Sequence, residues 1–349
     1  MSVYSNVAFD DHERVLFCSD RSTGLHAIIA IHSTALGPAA GGTRQWAYAD
    51  DEEALYDVLR LSQGMSYKNA MADLKFGGGK AVIIETPGFK ASDGLYARFG
   101  DFVESLSGDY ITAEDVGMSP EIMQVIATHT KYVTGLPASG GKAGGDPSPK
   151  TAFGIFRGIE EAVRFKLERD DLKGTRVAVQ GVGNVGYHLC RLLHEAGVVL
   201  TVADIDRTKV QRVCDEFGAR AVGPDEILFC DVDLLAPCAL GAVLTEDTIP
   251  RLRTSIVAGG ANNQLQTSAD GRRLADAGIL YAPDYVINGG GIINVACEYS
   301  GEVDDAGVMD LVDHIGPRLL GIFEESATTG KLTNDIADEQ ARRIINSGL

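Results

Sequence analysis

Two lysines and a carboxylate stand beside glycine-rich stretches early in the chain: Lys68 in "GMSYKNA", Lys80 in "FGGGKAVII" and Asp115 in "ITAEDVG". One ammonium can hold a substrate carboxylate, and a second lysine close to it has its protonated form disfavoured, which brings its pKa towards the range of a general base. A neighbouring carboxylate can pass protons to and from an amine. The three glycines before Lys80 cost backbone entropy and read as a turn whose backbone comes close to a bound molecule. They do not form a phosphate loop of the G-x-x-x-x-G-K-[ST] kind, because Ala81 replaces the hydroxyl residue and an apolar strand follows instead of a helix.

A second constellation lies further along. Gly181, Gly183 and Gly186, with Val182, Asn184 and Val185 between them, follow the apolar run "RVAVQ" and open a helical pattern, and Asp204 closes the next run, "LTVAD". This strand, glycine turn, helix and strand, with an acidic residue some twenty positions on, suits a dinucleotide: the pyrophosphate at the helix N-terminus and a ribose at Asp204. A carboxylate accepts from a free 2′-hydroxyl and repels a 2′-phosphate, so NAD is expected over NADP. A nicotinamide together with paired lysines and a carboxylate suits oxidation of an α-amino acid, in which the carboxylate is anchored, a hydride leaves Cα and the imine is hydrolysed. Two rivals are weaker. A 2-hydroxy-acid dehydrogenase would use a histidine and an arginine, yet none of the seven histidines lies in a motif. A dinucleotide-binding protein without turnover would lack one of Lys68, Lys80 and Asp115.

The elements that must position these residues form an α/β layout. Val15 to His32 reads as two apolar strands joined at a Ser-Thr-Gly turn. "DDEEALYDVLRLSQGM" reads as an amphipathic helix ending close to Gly64, which would leave Met65 to Lys68 at or just past its end. "KAVII" reads as a buried strand, Ser92 to Leu106 as a helix, and "YITAEDVG" as a strand running into a turn. Thr134 to Pro149, rich in Gly, Pro and Ser, reads as an interdomain hinge. Beyond it come a long helix, "TAFGIFRGIEEAVRF", the glycine unit, and strands at "VDLLAPC", "TSIVAGGA" and "ILYAPD", a doubly wound alternation. The tail from about Gly307 is helical. Two α/β domains are expected: residues 1–140 for substrate binding and oligomerisation, and 145–325 as a Rossmann-type NAD-binding domain. The C-terminal helices, about 325–349, are expected to pack back on the first.

Composition narrows the partners to small molecules. A formal net charge of −18 repels phosphate backbones and anionic lipid, so neither nucleic acid nor a membrane surface is expected. No run approaches the roughly 20 apolar residues of a membrane span and no signal peptide is evident, so the expected location is cytoplasmic. Six cysteines without C-x-x-C spacing fit reduced thiols, and no metal site is expected.

"LGPAAGGTRQW", "GMSYKNA", "GGGKAVI", "ITAEDVG", "DPSPKTAFG", "VAVQGVGNVG", "APCALGA", "GGANNQL" and "YAPDYVINGGGIINV" occur in order from Leu36 to Val295. Together they resemble the amino-acid dehydrogenase superfamily of glutamate, leucine, phenylalanine and valine dehydrogenases, most closely the leucine dehydrogenases. The resemblance implies that Lys68 binds the substrate carboxylate, that Lys80 is the general base on the water attacking the iminium, and that Asp115 handles protons at the amino nitrogen. It places Gly41, Gly42 and Met65 at the carboxylate site, Thr151 and Asn262 by the nicotinamide, and Cys238, Ala239 and Asn288 among the cofactor-binding residues. It implies a cleft that opens and closes between domains.

The side-chain pocket implied by the resemblance is Ala40, Ala113, Thr134, Ile292 and Val295, which suits an apolar substrate, since a buried unpaired carboxylate would be costly. Leucine dehydrogenases usually carry leucine at Ala40 and valine at Ile292, so one change enlarges the pocket and the other takes volume back. Branched-chain substrates (leucine, valine, isoleucine) are expected, with an aromatic amino-acid (phenylalanine) dehydrogenase as the alternative. Asp146 stands where asparagine is usual, and the chain ends sooner than many leucine dehydrogenases, whose C-terminal segments contribute to octamer contacts. The expected homo-oligomer is therefore a dimer or an octamer.

Overall fold

The computed structural model describes residues 2–136, 145–239, 241–301 and 303–348. Most of the expected hinge, residues 137–144, lies outside the described residues. The chain divides into two compact units, one made of Met1–Gly145, Val295–Asp305 and Ala341–Leu349, the other of Asp146–Asn294 and Ala306–Gln340.

In the first unit the elements follow as β1 (Arg14–Asp20), β2 (Leu25–Ser33), β3 (Ala39–Trp46), α1 (Asp51–Met71), β4 (Gly77–Ile84), α2 (Asp93–Ser105), β5 (Tyr110–Glu114) and α3 (Pro120–Ala127). The strands form one sheet in the order β1-β2-β4-β3-β5. The β1–β2 and β2–β4 pairs are antiparallel, while β3 runs parallel to both β4 and β5. Both faces of the central strands are covered, which is why "AIIAI" and "KAVII" read as near-continuous apolar runs. Ile28, Ala30 and Val82 pack with Ala54, Val58 and Leu59 of α1. Ile29, Ile31, Ala81 and Ile83 pack with Leu95 and Phe99 of α2 and with Met123 and Ile126 of α3.

Two expectations need correction here. Helix α1 does not end near Gly64; it runs to Met71, with Ser66, Tyr67, Asn69, Ala70 and Met71 buried. Glycine in a helix interior costs about 1 kcal/mol, and the burial of the last two turns outweighs it. Met65 and Lys68 are therefore helix residues. The three glycines before Lys80 are not a turn either, because Gly77, Gly78 and Gly79 are all strand residues of β4 and all buried. A Cβ at Gly78 would lie 2.1 Å from the Ser66 nitrogen of α1, and one at Gly79 would lie 2.7 Å from the Tyr110 ring. What comes close to this backbone is the protein itself: α1 on one side, β5 on the other.

The second unit begins with α4 (Ser148–Leu167) and continues through β6 (Arg176–Gln180), α5 (Asn184–Glu195), β7 (Val199–Ala203), α6 (Arg207–Phe217), β8 (Arg220–Ala221), β9 (Leu234–Pro237), β10 (Ile256–Val257), α7 (Ala269–Asp276), β11 (Leu280–Tyr281) and α8 (Asp284–Ile287). Helices α9 (Gly290–Ser300), α10 (Asp305–Asp313), α11 (Ile315–Thr329) and α12 (Thr333–Ser347) complete the chain. The sheet is parallel throughout, in the order β11-β10-β9-β6-β7-β8. Successive strands run one way from β6 and then return to its other side, the doubly wound Rossmann arrangement, so the molecule is a two-domain α/β protein.

The division departs from the expected boundaries at the C-terminal end. Helix α11 lies along α4, with Ile315 and Leu319 seated where side chains at Gly154 and Gly158 would project, and this places 306–340 with the second unit. Of the residues after Asp305, Ala341–Leu349 joins the first unit, where Arg342 Nε donates to the Tyr67 hydroxyl at 2.6 Å. Val295–Asp305 joins it too, with Tyr299 edge-on to Phe76. Among the described residues, no helix is long and apolar enough to cross a membrane.

Candidate active site

Lys80 sits mid-strand on β4, and Asp115 directly follows β5, with β3 between the two strands. The Lys80 ammonium donates to Asp115 Oδ2 at 2.7 Å, and the lysine side chain is 7% exposed. A small residue on the intervening strand makes this reach possible: a Cβ at Gly42 would lie 2.9 Å from that of Asp115. Burial lowers the Lys80 pKa; Asp115 opposes this and the nearby Arg44 adds to it, and the direction that results is downward. Burial alone would raise the Asp115 carboxyl, but Lys80 and Arg44 together hold it below the ordinary carboxylate value. A buried amine with a lowered pKa, bonded to an ionised carboxylate, can take a proton from water and exchange it with its neighbour.

The same carboxylate oxygen carries a second cation that the sequence reading did not single out. Arg44 Nε donates to Asp115 Oδ2 at 3.2 Å, and its Nη1 donates to Asp57 Oδ2 at 2.8 Å. Asp57, on α1, also accepts from the Tyr48 hydroxyl at 2.9 Å and from Arg60 at 3.1 Å. Arg44 lies inside "LGPAAGGTRQW", two residues after its glycines, and Asp57 stands three residues before Arg60, the spacing at which helix side chains pair.

Of the other residues expected at the substrate, Gly41 and Met65 are brought together: a Cβ at Gly41 would lie 3.1 Å from Met65 Cγ, and the Gly41 carbonyl accepts from the buried Tyr110 hydroxyl at 2.7 Å. Lys68 stands on the last turn of α1, half-buried. In register, Ala40 lies beside Ile111 and Gly42 beside Ala113, so the two alanines fall diagonally on one face of the sheet. Thr134 is buried next to β5, its backbone N–H donating to the Thr112 carbonyl at 2.9 Å. Glu298 of α9 accepts from the N–H groups of Gly135 and Leu136 at 3.1 and 3.3 Å and so holds the backbone after Thr134. Ile292 is half-buried and Val295 is half-buried on one face of α9; by unit, Val295 belongs to the first and Ile292 to the second.

In the second unit the glycine turn leaves β6 at its carboxyl end, where the direction of winding reverses between β6 and β9. Gly181 has φ +90°, and a Cβ there would meet Ala239 at 2.8 Å, so only glycine lets the end of β9 approach. The Cys238 N–H donates to the Gln180 carbonyl at 2.7 Å and locks the two strand ends. Gly183 caps α5 without a side-chain partner for the helix, and a Cβ there would meet nothing within 4 Å. The first-turn N–H groups of Asn184, Val185 and Gly186 start the helix behind this uncrowded glycine, a fit for a pyrophosphate. Asp204 borders the turn, accepting from the Val182 and Asp206 N–H groups at 2.8 and 2.9 Å. The buried Asn288 donates to Asn262 Oδ1 at 2.7 Å and to the Gly260 carbonyl at 3.2 Å, so these two asparagines also form one cluster. Thr151 of α4 donates to the Pro147 carbonyl and packs against Gly291 at the start of α9. Asp146 accepts from the Ser148 N–H at 2.9 Å, a bond an asparagine oxygen could equally make.

Comparison with known proteins identifies the family. The Glu/Leu/Phe/Val dehydrogenase dimerisation domain matches residues 12–132, and the Glutamate/Leucine/Phenylalanine/Valine dehydrogenase domain matches 140–208 and 206–310. The chain is 46% identical to the leucine dehydrogenase of Bacillus subtilis over 350 aligned positions, covering 99% of this chain and 96% of the relative. It is 48% identical to an L-tryptophan dehydrogenase of Nostoc punctiforme, covering 99% and 97%. A crystal structure of L-tryptophan dehydrogenase from Nostoc punctiforme superposes with a TM-score of 0.87 at 47% identity, covering 97% of this chain and 96% of that one. The chain therefore belongs to the Glu/Leu/Phe/Val dehydrogenase family, and it is an amino-acid dehydrogenase, an oxidoreductase acting on CH–NH2 donors.

Proposed function

We propose that the protein catalyses the reversible, NAD-dependent oxidative deamination of an apolar L-amino acid, with leucine, valine and isoleucine preferred, to the 2-oxo acid and ammonia. The observation that carries this reading is the buried Lys80 ammonium 2.7 Å from Asp115. In this reading the first unit binds the amino acid and carries the oligomer contacts, and the second binds NAD, which when bound supplies the hydride acceptor. Lys68 anchors the substrate carboxylate beside Gly41, Gly42 and Met65. Lys80 takes a proton from the water that attacks the iminium carbon, and Asp115 receives and returns protons at the amino nitrogen, the two being coupled through their hydrogen bond.

Support for NAD comes from Asp204, whose carboxylate is held at the edge of the glycine turn by two backbone donors and would repel a 2′-phosphate. Asp204→Asn keeps an acceptor there and removes the charge. It is expected to lower the preference for NAD over NADP, measured as the ratio of kcat/KM, by about tenfold or more.

Support for an apolar substrate comes from Ala40, Ala113, Thr134, Ile292 and Val295, none of which offers a cation to a side-chain carboxylate. The small Ala40 also favours a second reading, an aromatic substrate. NAD reduction at mildly alkaline pH with leucine, valine, isoleucine, phenylalanine and tryptophan, against glutamate and lactate, separates the two. Fastest turnover with a branched-chain substrate is the expected result, and fastest turnover with an aromatic one would replace it with the second reading. Silence with every amino acid would end both. Ala40→Leu is expected to cut kcat/KM for the aromatic substrates relative to valine by about 10-fold or more, because overlap in an apolar pocket is worth about 1–3 kcal/mol.

A further inference from the structure

Lys80 and Asp115 do not stand alone. Arg44, on the strand between them, places its Nε on the very oxygen that Lys80 uses, Asp115 Oδ2, and turns its Nη1 to Asp57 of α1. The planar guanidinium spans two carboxylates that come from different elements, which a point charge such as an ammonium cannot do with the same geometry. Asp57 is itself tied down, accepting from Tyr48 on the same oxygen and from Arg60 on the other. All four charged groups of the row are shielded: the side chains of Lys80, Asp57, Asp115 and Arg44 are 7, 14, 23 and 24% exposed.

From this arrangement we propose that Arg44, clamped by Asp57, is a positioning residue for the reaction: it fixes Asp115 by sharing Oδ2 with Lys80, so that the carboxylate that exchanges protons with the substrate is held in one orientation. The two carboxylates are held by one guanidinium, so the orientation of Asp115 depends on a residue of α1 that reaches it through Arg44. This inference rests on the reading of Lys80 and Asp115 as the proton-transfer pair.

The groups acting electrostatically on Lys80 include Asp115 after β5, Arg44 on β3 and Asp57 on α1, with the Tyr48 hydroxyl beside Asp57. Arg44 disfavours the protonated lysine and Asp57 favours it. Removing each charge therefore has an opposite sign. Arg44→Gln is expected to move the limb on which kcat rises with pH upward by about half to one pH unit, and Asp57→Asn to move it downward by a similar amount. The double variant is expected to fall within about 0.3 unit of the wild type, since neighbouring charges couple. Loss of packing alone would lower activity without displacing the limb in opposite directions.

The experiment measures kcat against pH for wild type, Lys80→Ala, Arg44→Gln, Asp57→Asn and the double variant, with NADH titration as a check that the second unit is folded. Wild-type turnover in Lys80→Ala would overturn the proton-transfer reading and this inference with it. An inactive Lys80→Ala beside Arg44→Gln and Asp57→Asn limbs that coincide with the wild type, or shift together, would overturn the inference alone. Should Arg44→Gln fail to fold, Arg44→Lys keeps the charge and loses the bridge; it is expected to leave the limb in place and lower kcat by about fivefold or more. An Arg44→Lys kcat equal to that of the wild type would sink the positioning role.

Discussion

Lys80→Ala is expected to bind NADH as the wild type does and to turn over amino acid about a thousandfold more slowly, the scale of a lost general base. The reasons are local. Lys80 is the buried amine of the row, its charged form is disfavoured by burial, and its partner is an ionised carboxylate. The glycine turn that would hold the cofactor belongs to the other unit, so its binding should not follow the loss. The sign of the pH dependence is set by the same groups. Because the folded pKa of Lys80 is lowered, the free base appears at lower pH than in an ordinary lysine of pKa about 10.4, so wild-type activity should rise with pH below the range of an ordinary lysine. Asp115 behaves oppositely: its folded pKa lies below the unfolded value of about 3.9, so its stabilising contribution is complete above that value and is lost only as pH falls through the folded pKa. Raising the pH therefore acts on the lysine while the carboxylate stays charged. Stopped-flow or steady-state NADH absorbance, with fluorescence titration of NADH, measures both halves of the prediction, and normal turnover in the variant would remove Lys80 from the mechanism.

The second large effect falls on stability. Gly78→Ala is expected to destabilise the fold by about 3 kcal/mol, towards the upper end of overpacking costs. The added methyl would sit 2.1 Å from the Ser66 nitrogen and 2.5 Å from its Cα, and these are backbone atoms of α1, which cannot swing aside as a side-chain end can. Gly183→Ala is the control, because the same methyl meets nothing within 4 Å and the backbone there has an ordinary negative φ. That variant should unfold as the wild type does and lose affinity for the dinucleotide instead. Chemical denaturation of the two variants side by side tests the pair of statements. Equal stability of Gly78→Ala and the wild type would mean that α1 can slide on the sheet.

The order of the motifs, the apolar periods and the glycine turn after "RVAVQ" determined the two-domain α/β class and the doubly wound sheet, because strand and helix periods and tight turns are local properties of a chain, and they marked Lys68, Lys80 and Asp115 as the candidate residues. Other features were decided only by tertiary packing. Helix α1 continues past Gly64 because most of Ser66 to Met71 is buried, a gain that local propensity does not contain. Gly77 to Gly79 are strand residues since α1 and β5 press on them, whereas three glycines in a row read as a turn when no neighbour is in view. The tail divides between the units at Gln340 and Ala341 because α11 finds α4 while Arg342 finds Tyr67, and both are pairings of residues far apart in the sequence. Arg44 and Asp57 meet Asp115 for the same reason: a guanidinium on one strand reaches a helix and a neighbouring strand at once, and spacing along the chain carries no record of which charges the fold will place across one oxygen.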